Sequence, residues 1–177
     1  MSIQIKGGSE INCTVEQVPA FSVIGFANVI DYDNSGDEII ALWESFFRKY
    51  RYGQGDNDEI FRAVEEYRVG KYALCIDDKK DSGKFCYFIA GDYNGGNIPA
   101  GMEIMTVPEQ LWAKFTAEGA LPGAIRSLNS AVYHQWLPGN SRYETVSCPV
   151  SCVEWYSDGD IESSSYKSGL WIPVKKK

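Results

Sequence analysis

The chain of 177 residues holds one histidine, His134, and no long apolar run. A single histidine gives a Ser–His–Asp triad no redundancy, and His134, after Tyr133 near a helix end, reads as a partly exposed helix residue. Cys148 and Cys152 are four apart. Zinc sites use tighter spacing and more ligands, so no metal is expected. Phosphate-binding loops, the dinucleotide fingerprint and HExxH are all missing. The two glycines of "GQGDNDE" open no phosphate cradle and read as loop, so no cofactor is expected. No segment approaches the roughly 20 apolar residues that a membrane-crossing helix needs. "MSIQIKGGSE" lacks the basic start and apolar middle of a signal peptide.

Positive charge is also scarce. Seventeen Lys and Arg face 24 Asp and Glu, giving a net charge of −7. A nucleic-acid surface needs clustered Lys and Arg. The one basic run is the tail Lys175–Lys177, read as a frayed end. The expectation is a cytoplasmic protein with no direct nucleic-acid partner and no membrane partner. Its acidity favours cationic partners. Five cysteines form an odd set without a framework spacing and read as packed thiols.

What is present is an ordinary globular composition, with 44% hydrophobic and 23% charged residues and a generous 14% aromatics. The length suits one domain, residues 1–177, built of two halves that share a core. "VPAFSVIGF" from Val18 and "VPEQLWAKF" from Val107 share the pattern V-P-x-x-x-x-x-x-F. Each is followed by a helix pattern and then two strand patterns, which implies a duplicated strand–helix–strand–strand unit. The halves are placed at about 10–93 and 101–174, joined by the Gly-, Asn- and Pro-rich "NGGNIPAG".

In the first half, residues 20–29 alternate as a strand. "NSGDEIIALWESFFRKY" is a helix with Ser35 and Glu38 at capping-box spacing and a stripe of Ile39, Trp43, Phe46, Phe47 and Tyr50. "DEIFRAVEEYRVG" is a shorter helix stopping at Gly70. "KYALCID" and "KFCYFIAGDY" are strands around the polar loop "DDKKDSG". In the second half, "MEIMTVPEQLWAKFTAEG" is strand-like on both sides of Pro108, which argues for an edge or a bulge. "LPGAIRSLNSAVYHQWLPG" is a helix with Ile125, Leu128, Val132 and Trp136 buried and Pro138 as its stop. "CPVSCVEWYSDG" and "SGLWIPV" are the last strands. The expected fold is α+β, a mostly antiparallel sheet with helices on one face. A pseudo-two-fold would relate the halves, and a central cleft would lie at their seam.

"VPAFSVIGF", "IIALWESFF", "VPEQLWAKFTAEG", "WLPGNSRYE", "SCVEWY" and "LWIPVK" match in order, over nearly the whole chain, the GyrI-like domain, also called the AraC-type effector-binding domain. The chain resembles a stand-alone form of that family. The resemblance implies a module that binds small hydrophobic, often cationic molecules and that can be linked to transcription regulation. It also implies a glutamate in the penultimate strand within an aromatic-lined pocket, and Glu154 falls at that position. No room precedes the effector unit for a helix-turn-helix domain, so regulation is expected to run through a partner protein. Two other functions follow from the same resemblance. One is a hydrolase of electrophilic cyclopropane-type toxins, with Glu154 and Tyr156 as its catalytic groups. The other is an interaction module such as a DNA gyrase inhibitor.

The residues themselves sharpen the Glu154 reading. A carboxylate among Val, Trp, Tyr and Cys is costly to ionise unless compensated. Strand alternation puts Cys152, Glu154 and Tyr156 on one face and Val153 and Trp155 on the other. A cation over aromatic faces would gain about 0.5–2 kcal/mol per ring. The candidate ligand-binding residues are Glu154, Tyr156, Trp112, Tyr87 and Trp43, together with Trp171, which the resemblance implies as a pocket aromatic of the last strand. Trp112, Tyr87 and Trp43 also read as core packing, and Glu154 itself could be held by a neighbouring Arg, Lys or backbone donor.

Overall fold

The computed structural model describes residues 2–4, 10–50, 59–77 and 83–177. Residues 53–58 of "GQGDNDE", the centre of "DDKKDSG" and most of the first ten residues lie outside the described residues. The chain forms two compact units, one from the residues up to Ala20 with Pro108–Lys177, the other from Phe21–Val107.

In chain order the elements begin with β1 (Ser2–Gln4), β2 (Glu10–Val18), β3 (Phe21–Asp31), α1 (Ser35–Tyr50) and α2 (Glu59–Glu66). Then come β4 (Tyr72–Asp77), β5 (Lys84–Asp92), β6 (Glu103–Val107), β7 (Gln110–Glu118) and α3 (Gly123–Ala131). β8 (Tyr143–Thr145), β9 (Val150–Tyr156) and β10 (Lys167–Lys176) complete it. Within the 21–107 unit the strand order is β4-β5-β3-β6. Within the other unit it is β9-β10-β7-β2, with β1 beyond β2 and β8 on β10. These strand pairings are all antiparallel.

The two orders correspond strand for strand, so the duplication read from the V-P repeat is present in the topology. The boundaries differ from the expected 10–93 and 101–174. β2 precedes the first repeat but pairs with β7, and β6 precedes the second but pairs with β3. Each unit therefore takes its outer strand from ahead of the other repeat's V-P motif. The chain changes unit after Ala20 and after Val107. Pro108 marks that change rather than a bulge within one strand. "NGGNIPAG" is a loop inside the 21–107 unit, where the Tyr67 hydroxyl donates to the Asn97 carbonyl at 2.9 Å.

In the 21–107 unit, the α1 stripe packs its rings on the sheet. Phe26 stacks on Tyr50 at 5.5 Å and meets Phe46 edge-on at 6.4 Å. The expected Ser35–Glu38 box is displaced. A 3-10 turn, Tyr32–Asn34, precedes the helix, Asp31 caps it by accepting from Asp33 N–H, and Glu38 accepts the Asp31 N–H at 3.2 Å. After α2 the chain turns at Gly70, whose φ of +105° suits glycine. The turn after α2 runs close to β5 at Gly91, where a Cβ would come within 1.9 Å of the Tyr67 carbonyl oxygen.

In the other unit, Ile125, Leu128, Val132 and Trp136 are all buried, as the helical spacing predicts. α3 continues through a π-helical turn, Val132–Trp136, and a last turn to Gly139, so Pro138 sits within that turn instead of ending the helix at Leu137. Trp136 meets Phe115 of β7 edge-on at 4.9 Å. That contact identifies the face of this sheet covered by α3.

Candidate functional site

Antiparallel pairs put their side chains on the same face. Glu154 pairs with Leu170, and Leu170 pairs with Phe115, the residue under Trp136. The glutamate is therefore on the α3 side of its sheet. Cys152 and Tyr156 share that side by alternation, as expected from the sequence. Glu154 is half-buried, and Leu170 beside it is fully buried. The Tyr156 hydroxyl donates to Glu154 Oε2 at 2.8 Å. This bond engages one of the two carboxylate oxygens.

Ser168 lies on the same face, paired with Tyr156. It is fully buried, and its hydroxyl has no hydrogen-bond partner among the described residues. Around Glu154 the face thus presents a carboxylate, a phenol and a hydroxyl among Leu170, Cys152 and Phe115.

The register separates two of the expected aromatic residues from this cluster. Trp171 pairs with Val153 and Lys114, and Trp112 pairs with Pro173 and Glu16. Both therefore belong to the opposite face. Their rings are 6.5 Å apart. Trp112 is fully buried, and its indole N–H has no partner among the described residues. Trp43 and Tyr87 belong to the 21–107 unit, where the Trp43 indole N–H donates to the Tyr87 hydroxyl at 3.0 Å. Tyr87 is completely buried between β5 and α1, as a core residue would be.

The sequence reading did not single out Trp155, Lys114 or Gly169. All three gather on the face away from α3. A Cβ at Gly169 would meet Trp155 Nε1 at 1.9 Å and the Phe115 carbonyl oxygen at 2.3 Å. Glycine therefore lets the Trp155 indole lie down on β10. The Lys114 ammonium sits 3.9 Å from the Trp171 ring centroid and is ion-paired with Glu16. The signal for this cluster was the parity of Trp155, but its neighbours depend on strand pairing.

None of the five cysteines is in a disulfide. Burial pushes the Cys13 thiol up to about 11 and raises that of Cys148. Among the described residues, no group of three or more His, Cys, Asp or Glu side chains could hold a metal ion. Among them, too, no helix is long and apolar enough to cross a membrane.

Comparison with known proteins follows the fold. The transcriptional regulator BrlR of Pseudomonas aeruginosa is 29% identical over 168 residues, which is 93% of this chain and 56% of BrlR. The chain thus spans little more than half the length of that relative. SAV2435, solved bound to tetraphenylphosphonium, superposes with a TM-score of 0.73 at 22% identity, over 93% of this chain and 94% of that one. An integron cassette protein from the mobile metagenome of Vibrio cholerae gives 0.63 at 17% identity, over 92% and 95%. The EcmrR C-terminal domain gives 0.56 at 15% identity, over 94% and 99%. A family model, Cass2, described as integron-associated effector binding protein, matches residues 14–174. The effector-binding resemblance noted in the sequence is borne out: the chain belongs to the Cass2 family of integron-associated effector binding proteins.

Proposed function

We propose that the chain binds small hydrophobic cations at Glu154 and that a transcription-regulating partner reads out the binding. The observation that carries this is the half-buried Glu154 carboxylate on the α3 side, held at 2.8 Å by the Tyr156 hydroxyl beside fully buried Leu170. A carboxylate in apolar surroundings attracts a cation more strongly than one in water, because little solvent screens it. Apolar neighbours recognise the ligand's body without a detailed hydrogen-bond template, which favours breadth over narrow selectivity. The fold relative SAV2435 was captured with tetraphenylphosphonium, a cation of this class. BrlR is a transcriptional regulator, which supports the regulatory readout. The proposal rests on Glu154 and Tyr156. Trp171 and Trp112 are on the wrong face to serve it.

Calorimetric titration with tetraphenylphosphonium and with neutral triphenylphosphine oxide tests the charge. Glu154→Gln should weaken the cation by about tenfold or more and the neutral analogue by less than about threefold. Equal losses for both ligands would sink the proposal.

The Tyr156–Glu154 bond also favours a second reading, in which the pair acts as general acid and base in hydrolysis. Incubation with an electrophilic cyclopropane should then give product in excess of protein. Stoichiometric binding without product would remove that reading.

A further inference from the structure

The face turned away from α3 holds a feature that the Glu154 proposal does not use. A shallow cavity of about 330 Å³ is lined by Asn12, Thr14, Lys114, Thr116, Trp155 and Trp171, with Cys13 in its wall. The exposed face of a two-layer sheet is ordinarily polar. Asn12, Thr14 and Thr116 follow that rule and are exposed. Two half-buried tryptophans do not. Trp155 is laid against the strand by the missing side chain of Gly169, and Trp171 stands on the same face. We propose that this cavity is a second binding site, for small planar aromatic anions, with the two indoles as its walls and Lys114 as the partner of the anionic group.

The charge at the site decides the class of ligand. The Lys114 ammonium already covers the Trp171 ring at 3.9 Å. An incoming cation would meet that like charge and find the ring's electron-rich face taken. An anion finds an ammonium with three N–H donors, one of which serves Glu16. Glu16 is 55% exposed. Lys114 is only 20% exposed, but the Glu16 side of the pair is open to water, so a ligand carboxylate competes with Glu16 or joins it. The rest of the rim, Asn12, Thr14 and Thr116, is neutral and hydrogen-bonding and adds no negative charge. Flat rings suit indole walls because aromatic pairs gain from offset stacking beyond their buried area. The volume limits the ligand to a small molecule. The site stands independently of the Glu154 proposal: it is on the other face of the sheet and selects the opposite charge.

The test uses the whole chain and three probes of one shape: 2-naphthoate, 2-naphthalenemethanol and 2-naphthylmethylammonium. The indole N–H resonances, assigned with Trp155→Phe and Trp171→Phe, report where each probe binds. Naphthoate should shift the Trp155 and Trp171 signals and bind there about fivefold or more tighter than the ammonium probe. Lys114→Gln should remove that preference. Lys114→Arg, which keeps the charge, should retain it and show that the loss is not one of folding. Glu154→Gln should leave it unchanged. The proposal is overturned if no probe shifts these indoles, if the ammonium probe binds them as tightly, if Lys114→Gln has no effect, or if the response is lost with Glu154→Gln. None of these results depends on whether tetraphenylphosphonium binds at Glu154.

Discussion

Glu154 stands directly across from Leu170, and that pairing turns Trp171, the next residue along β10, to the opposite face of the sheet. One sheet therefore carries two unlike surfaces. On the α3 side a carboxylate, a phenol and a hydroxyl sit among apolar side chains. On the other side an ammonium lies between an indole ring and a carboxylate.

Tyr156 positions the carboxylate, so Tyr156→Phe should act on ligand affinity and on stability together. Loss of the 2.8 Å bond should cost about 1–2 kcal/mol in chemical denaturation. Cation affinity measured by calorimetry should fall by less than in Glu154→Gln, because the charge remains. A Phe variant with unchanged stability and affinity would show that the hydroxyl contributes nothing.

Gly169→Ala should destabilise the fold by about 1–3 kcal/mol through overpacking. Its Cβ would collide with both Trp155 Nε1 and the Phe115 carbonyl oxygen. Combining it with Trp155→Ala should relieve the first clash and leave the second. Thermal melts of both single variants and the double should therefore be non-additive, the double being more stable than the sum. Simple additivity would mean that the indole does not lie over Gly169.

Ser168→Ala should not destabilise. The serine hydroxyl is buried without a partner among the described residues, so its removal gives up no hydrogen bond to them and relieves a desolvation cost. Denaturant midpoints should stay within about 0.5 kcal/mol of the parent or rise. A clear loss of stability would reveal a bond to Ser168 that forms in solution.

Cys13 gives a pH prediction. Burial lifts its thiol from an ordinary 9.0 to about 11. In the folded chain the thiol stays protonated while the unfolded one ionises, so the unfolded state gains from rising pH. The stabilising contribution is complete below about pH 9 and falls away between 9 and 11, by on the order of 1–2 kcal/mol. Denaturation across that range should show a fall that Cys13→Ala lessens. An identical pH slope in the variant would exclude Cys13 as its source.

The local pattern of the sequence disclosed much of this molecule. The V-P repeat announced the duplication, helical spacing marked Ile125, Leu128, Val132 and Trp136 as core, and alternation placed Glu154 with Tyr156. What stayed hidden depends on pairing between distant segments. Period-two alternation says which neighbours share a face but not which face meets the helix, nor what lies across the strand. Hence the family resemblance alone places Trp171 with Glu154, and no local pattern joins Trp155 to Lys114 and Gly169. The exchange of β2 and β6 was equally invisible, because nothing local to Glu10–Val18 names β7 as its partner. Ser35 and Glu38 had capping-box spacing, but the turn at Tyr32–Asn34 moved the cap back to Asp31.

The two crossings at the V-P motifs bear on how such a chain could have arisen. A half-length ancestor with one leading strand and one strand–helix–strand–strand body would have had to lend that strand to a second molecule and borrow one in return. Tandem fusion would turn that exchange between two polypeptides into an internal one and would free each body to diverge.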